Sequence, residues 1–184
     1  MQILQGNNIK LRAMEPSDID LMYEWENDPD TWQYSNTQTP FSRFHLEQYI
    51  INSHSDIYTD KQLRLMIVNK KYDTIGCVDL FEFDPKNKKA GLGILIAKPF
   101  RSKGHASETL DVIIKYCYTT LELHQLYCNI TEENVKSMRL FKSKGFEVVG
   151  LKKDWILHEN NWLNEYLLQL IFSPDSFNRK DKNV

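Results

Sequence analysis

Ile9, Leu11 and Ala13 alternate with Lys10 and Arg12, which predicts a short strand over 8–13. Glu15-Pro16-Ser17-Asp18 follows as a helix start, with proline in the first turn and acids at the positive end of the dipole. Ile19, Met22, Tyr23 and Glu26 mark that helix, which stops by Asp28-Pro29, and a loop is expected to run on to Pro40. Ser42 caps a second helix reaching about His54, with Leu46, Tyr49 and Ile50 inward. Residues 62–69 are rich in strand formers. In 74–84, Ile75, Cys77, Asp79, Phe81 and Phe83 share one face, while Val78, Leu80 and Glu82 take the other. Pro85-Lys86-Asn87-Lys88 turns the chain into 90–97, apolar on both faces and so a central strand.

A helix from His105 to Leu121 carries Leu110, Ile113, Ile114, Cys117 and Leu121 on one stripe. A strand over 125–131 and a helix over 133–144 come next, the helix ended by a left-handed Gly145. A strand, an Asn160-Asn161 turn and a last strand complete 146–172. Two helices interrupting an otherwise antiparallel meander predict a mixed α/β fold. It has one central, mostly antiparallel twisted sheet of about seven strands, flanked by about four helices. Residues 1–172 read as one domain and 173–184 as a polar tail.

Composition narrows the class. At 184 residues, 41% hydrophobic and 26% charged, the chain has the make-up of a globular domain. No apolar run approaches the roughly 18–20 residues that span a bilayer, and no leader is evident, so a cytoplasmic protein without membrane partner is expected. Cys77, Cys117 and Cys128 form no metal or redox motif and read as buried thiols. His45, His54, His105, His124 and His158 share no metal-ligand spacing, so no metal is expected. A net charge of −2 argues against a nucleic-acid partner. Its distribution is uneven. Glu15, Asp18, Asp20, Glu24, Glu26, Asp28 and Asp30 lie between Arg12 and Arg43 with no Lys or Arg among them, which leaves the remainder net positive.

The strand 90–97 runs through a short loop into a helix opening at Gly104. A helix N-terminus offers unpaired N–H groups and a positive dipole end, which together bind phosphate. Gly104 has no side chain to obstruct the approach, Ala106 is small, and Arg101 and Lys103 add positive charge. An ordinary strand-to-helix turn remains an equal alternative on these grounds.

Arg101-Ser102-Lys103-Gly104-His105-Ala106 resembles the Q/R-x-x-G-x-G/A acetyl-CoA motif of the GCN5-related N-acetyltransferases (GNAT). Asn134, Ser137, Phe141, Gly145 and Phe146 resemble the family's N-x-x-S/A-x-x-x-Y/L-x-x-x-G-F pattern. Leu11-Arg12-Ala13-Met14-Glu15-Pro16 and Trp25-Glu26-Asn27-Asp28-Pro29 are similar to the start of the branch containing spermidine and ribosomal-protein acetyltransferases. The resemblance covers 8–172. It implies a fourth strand splayed from the fifth by a bulge, with acetyl-CoA as co-substrate and its pantetheine arm in the gap. Backbone groups of Ile94, Leu95 and Ile96 would pair with the arm. The amides of Ser102, Lys103, Gly104, His105, Ala106 and Ser107 would hold the pyrophosphate, and Asn134 and Ser137 would line the arm. Asn134 is equally natural as a helix cap.

The resemblance implies direct attack of an amine on the thioester, with a Tyr acid where this chain has Phe141, which cannot give a proton. Tyr127 on the adjacent strand is the substitute candidate, against a role in sheet packing. Asp79 matches an acidic acceptor-binding position of spermidine acetyltransferases, and Glu82, Glu26 and Asp28 are further acceptor candidates. The Glu-Glu-Pro-Tyr-like run that spermidine acetyltransferases carry before the second helix is here Gln38-Thr39-Pro40-Phe41, which lacks both charges. The expected partner is a small cationic amine, foremost a polyamine such as spermidine or spermine. A protein N-terminus, an amino sugar and non-catalytic acetyl-CoA binding are alternatives. Relatives also suggest a homo-oligomer.

Overall fold

The computed structural model describes residues 3–35, 37–53 and 56–173, except the side chains of Gln33 and Tyr34. Its strands are β1 (Ile9–Ala13), β2 (Leu63–Asn69), β3 (Thr74–Asp84), β4 (Lys89–Ile96), β5 (Gln125–Thr131), β6 (Glu147–His158) and β7 (Asn161–Ile171). They form one sheet in the order β1-β2-β3-β4-β5-β7-β6, antiparallel throughout except for β4 against β5. Among the described residues there are six α-helices, α1 (Ile19–Glu26), α2 (Pro29–Ser35), α3 (Arg43–Asn52), α4 (Ile57–Asp60), α5 (His105–Thr119) and α6 (Val135–Ser143), and two 3-10 turns at Pro16–Asp18 and Lys98–Phe100.

Two of these helices were not expected from the sequence. Asp28-Pro29 ends α1 but also begins α2. Pro29 takes the first helical position, where a missing N–H costs nothing, and the Asp28 carboxylate accepts from the Asp30 amide at 3.1 Å. The single turn of α4 is capped by Asp56, which accepts from the Thr59 amide at 2.9 Å. Ser42 caps α3 by accepting from the His45 amide at 3.1 Å. Gly145 closes α6 at φ +90°. His54 and the tail from residue 174 onward lie outside the described residues.

The sheet has two covered faces. Against one, α5 and α6 bury Leu110, Ile113 and Phe141 over Leu65, Ile67, Val78, Leu80, Leu92, Leu126 and Leu168. Against the other, α1 and α3 bury Met22, Trp25, Leu46 and Ile50 over Met66 and Cys77. Trp25, rather than the exposed Tyr23, supplies the inward aromatic of α1. Strict alternation in β3 fails twice. Its register shifts against β2 next to Ile75, and against β4 between Phe81 and Asp84. Each irregularity turns the strand over, so Ile75 and Phe83 pack with Val78 and Leu80 and not beside Cys77. The cysteines Cys77, Cys117 and Cys128 are free and buried.

Candidate functional site

β4 and β5 pair at three positions only: Lys89 with Gln125, Ala90 with Leu126, and Gly91 with Tyr127. Past Gly91, β4 continues against β3 as far as Ile96. Past Tyr127, β5 continues against β7 as far as Thr131. The two strands therefore separate, and the β5-facing backbone edge of residues 92–96 lines a cleft. Within 91–96 the β3–β4 register is unbroken. The irregularity lies on β3 at Glu82, whose φ is +48°, and not in β4 as expected.

The cleft opens at its wide end onto the start of α5. Gly104 is the N-cap at φ +84°, a conformation that glycine adopts without strain, and a Cβ there would meet no atom within 4 Å. The first intrahelical bond runs from the Glu108 amide to the Gly104 carbonyl at 3.1 Å. The amides of His105, Ala106 and Ser107 consequently have no acceptor within the helix. Ser102 also takes a left-handed φ of +61°. Arg101 Nε donates to the Ile96 carbonyl at 2.8 Å, and Lys103 Nζ to the Pro99 carbonyl at 2.9 Å, so both cations are held beside this open surface. An unpaired strand edge that leads to free amides, a glycine cap and two cations fits a pantetheine arm ending in phosphates. Asn134 caps α6, its Oδ1 accepting from the Ser137 amide at 3.1 Å, so the capping role is the one realised.

The acceptor candidates fall into three separate groups. Asp79 and Glu26 are brought together by a residue the sequence reading missed, Arg64. Arg64 sits directly opposite Asp79 across the β2–β3 ladder. Its Nε and Nη2 donate to the two Asp79 oxygens at 2.7 and 3.1 Å, and its Nη1 donates to Glu26. Only 17% of the Arg64 side chain is exposed. Burial works against its charge, but the adjoining carboxylates outweigh this and hold the guanidinium firmly protonated. Burial, and then Asp79, push the Cys77 thiol beneath them far upward, so it is no nucleophile. Arg64 also walls a cavity of about 520 Å³ with Tyr49, Gln62 and Met14.

Asp28 lies apart from this cluster. It shares Lys98, in the loop after β4, with Asp30, at 3.0 and 2.8 Å. The Lys98 hydrogen bond holds the Asp28 carboxyl below its ordinary value. The third group is Glu82 with Tyr127, whose hydroxyl donates to the Glu82 carboxylate. Strict alternation placed Glu82 on the face away from Asp79, and the bulge swings it toward Tyr127 instead. Phe141 faces the opposite core, 3% exposed and edge-on to Phe146 at 5.1 Å, so its ring supplies packing and no proton.

The acidic run is therefore largely paired. Arg12 holds Asp18, Arg43 holds Asp20, Arg64 holds Glu26, and Lys98 holds Asp28 and Asp30. Counting Asp79, six carboxylates share four cations, which leaves an excess of negative charge on this side. No group of residues suited to a metal ion occurs among the described residues, and no helix among them is long and apolar enough to cross a membrane.

Residues 8–147 match the acetyltransferase (GNAT) domain family. The N-acetyltransferase p20 of Bacillus licheniformis is 28% identical over 93% of this chain and 97% of its own length. The spermidine N(1)-acetyltransferase of Vibrio cholerae is 26% identical over 79% of this chain and 82% of its own. In three dimensions, the crystal structure of spermidine N-acetyltransferase from Vibrio cholerae in complex with CoA and spermine superposes with a TM-score of 0.83. It covers 90% of this chain and 96% of that one at 22% identity.

Proposed function

The chain belongs to the GNAT acetyltransferases, enzymes that use acetyl-CoA, and from that premise we propose that it acetylates a primary amine, foremost a polyamine such as spermidine or spermine. The observation that carries the acceptor class is the carboxylate excess around Arg64 and Lys98, since a multiply charged cation is drawn to a surface where anions outnumber their cations. The spermidine acetyltransferase relatives point the same way.

Acetyl-CoA supplies the activated acetyl carbon. The outward-facing backbone of Ile94 and Ile96 would hydrogen-bond the arm, whereas Leu95 turns its carbonyl toward β3, and a free N–H on that edge would polarise the thioester carbonyl. The amides of 105–107, with Arg101 and Lys103, would hold the phosphates. Glu26 and Asp79 would anchor a distal ammonium, each carboxylate retaining acceptor capacity beyond its bond to Arg64.

A second reading rests on Arg64 itself. It neutralises much of the Glu26–Asp79 charge, which suits a singly charged acceptor such as a protein N-terminus. A panel of amines assayed by release of free CoA separates the two. Turnover of spermidine or spermine above that of N-terminal peptides and amino sugars supports the polyamine reading. Turnover confined to a peptide removes it, and acetyl-CoA binding without turnover of any amine would overturn catalysis altogether.

A further inference from the structure

Tyr127 occupies the last register position at which β4 and β5 still pair, opposite Gly91, and so stands at the closed end of the cleft. Its register puts it on the face that carries Phe81 and Asp79. The Phe81 ring lies against β4, where a Cβ on Gly91 would fall 2.2 Å from it, and it meets Tyr127 edge-on at 6.0 Å. The closed end thus has an aromatic floor with the Tyr127 hydroxyl at its margin. That hydroxyl donates to Glu82, which reaches it only because β3 is bulged there, with Glu82 held at φ +48°. Non-glycine residues in this conformation are strained, and such bulges re-aim side chains at functional positions. Burial and the Glu82 carboxylate both raise the Tyr127 phenol, so it keeps its proton at neutral pH.

We propose that Glu82 and Tyr127 form the proton relay of acetyl transfer, in place of a donor at Phe141. The inference rests on the acetyl-transfer reading but not on the acceptor being a polyamine. An arm anchored at the 105–107 amides and laid along β4 brings its acetyl end toward Gly91, since residues 91–96 span about 17 Å of strand. The ammonium first loses one proton to solvent. The amine nitrogen then forms its bond to the acetyl carbon, and the carbon–sulfur bond breaks with its electron pair leaving on sulfur. The nitrogen gives its surplus proton to the Glu82 carboxylate, the sulfur takes the Tyr127 phenolic proton, and the proton on Glu82 passes to the Tyr127 oxygen. One proton has moved from nitrogen to sulfur, and both residues return to their starting state.

The test uses the full chain and whichever amine the unmodified enzyme acetylates fastest. Tyr127→Phe keeps the ring and Glu82→Gln keeps the shape, and thermal melting verifies that both fold. Each should lower kcat by about 100-fold or more. The acetyl-CoA Kd and the amine KM should stay within about threefold, because the lost interaction belongs to the transition state. The double variant should fall no more than about twofold below the weaker single one, as for residues acting as a unit. A Tyr127→Phe enzyme within about threefold of the original kcat, or losses that multiply in the double variant, would overturn the relay. Acetyl-CoA affinity falling in step with kcat would also overturn it, by assigning the pair to cofactor binding. Spermidine turned over normally by both variants removes the relay and leaves the polyamine reading standing. Another amine acetylated in its place, with both variants impaired, does the reverse.

Discussion

Arg64 and Asp79 face each other across the β2–β3 ladder and are joined by two hydrogen bonds, at 2.7 and 3.1 Å, with Glu26 on the same guanidinium. One buried cation thus holds α1 to the sheet and sets the charge of the acceptor side. Removing Arg64 leaves two carboxylates facing each other in a largely enclosed site. Breaking a pair of this kind costs about 3–5 kcal/mol. Arg64→Ala should therefore lose a large part of the unfolding free energy, measured in urea. Arg64→Lys should lose less, because it keeps the charge and forfeits the two-pronged geometry.

Gly104 is the cleanest probe of the cofactor loop. Gly104→Val forces a β-branched residue to φ +84°, a strain of about 1–3 kcal/mol. A Cβ there would have no neighbour within 4 Å, so the protein around the loop leaves room for the substitution. Its steric effect falls on whatever approaches the amides of 105–107. Calorimetry should show acetyl-CoA binding severely weakened in a protein that still folds, and Gly104→Ala should be milder. An unchanged Kd for Gly104→Val would remove the phosphate role from this loop.

Phe141 separates packing from chemistry. Phe141→Ala should cost about 3–5 kcal/mol, because the ring is fully enclosed beside Phe146. Phe141→Tyr should leave acetyl-CoA affinity nearly unchanged, and loss of that affinity in calorimetry would put residue 141 in contact with the cofactor.

Acid should weaken the fold through Asp18. Burial pushes its carboxyl up, but the Arg12 hydrogen bonds and the Glu15 amide outweigh that and hold it below the ordinary carboxylate value. A depressed folded pKa gives stability that is complete above the unfolded value, about 3.9, and is lost as pH falls through the folded value. Asp18→Asn should lower stability at neutral pH by about 1–3 kcal/mol and flatten the decline between about pH 5 and 2. An unchanged acid-side slope in denaturant melts would show that Asp18 is not the group responsible.

How much of this was readable beforehand depended on sequence distance. Arg101 to Ala106 lie within one turn of chain, so the loop, its glycine and the following helix were legible together. β1 and most of β3 announced themselves by alternation, β4 by its apolar run, and Gly145 by its place at the end of a helix. Arg64 was not legible, because its partnership with Asp79 is set by strand register, and a shift of one residue would turn its side chain to the other face. Glu82 was misplaced because a bulge is invisible to a period-2 pattern. Asp28-Pro29 reads as a stop, and only the folded chain shows the same two residues starting α2. The acidic run was plain in the sequence, while its four cations come from β1, α3, β2 and the loop after β4.

That pairing sharpens the test of the acceptor. With six carboxylates sharing four cations, the surface around Glu26, Asp28 and Asp79 retains a net negative charge. Exposed charges are screened beyond about 8–10 Å near physiological salt and beyond about 3 Å at 1 M. The KM for spermidine should therefore rise several-fold across that range, and the KM for spermine, with one more charge, should rise further. A monoamine serves as the control, since its attraction depends on one charge only. Acetyl-CoA is an anion and will respond to salt as well, so each measurement must be made at saturating acetyl-CoA. Asp79→Asn should raise the KM for spermidine more than that for acetyl-CoA, because it removes charge on the acceptor side and keeps shape. The same substitution strips Arg64 of one partner, so melting must verify the fold before the comparison is drawn. Equal salt dependence for spermine and the monoamine, together with an unchanged spermidine KM in Asp79→Asn, would place the acceptor away from this charge.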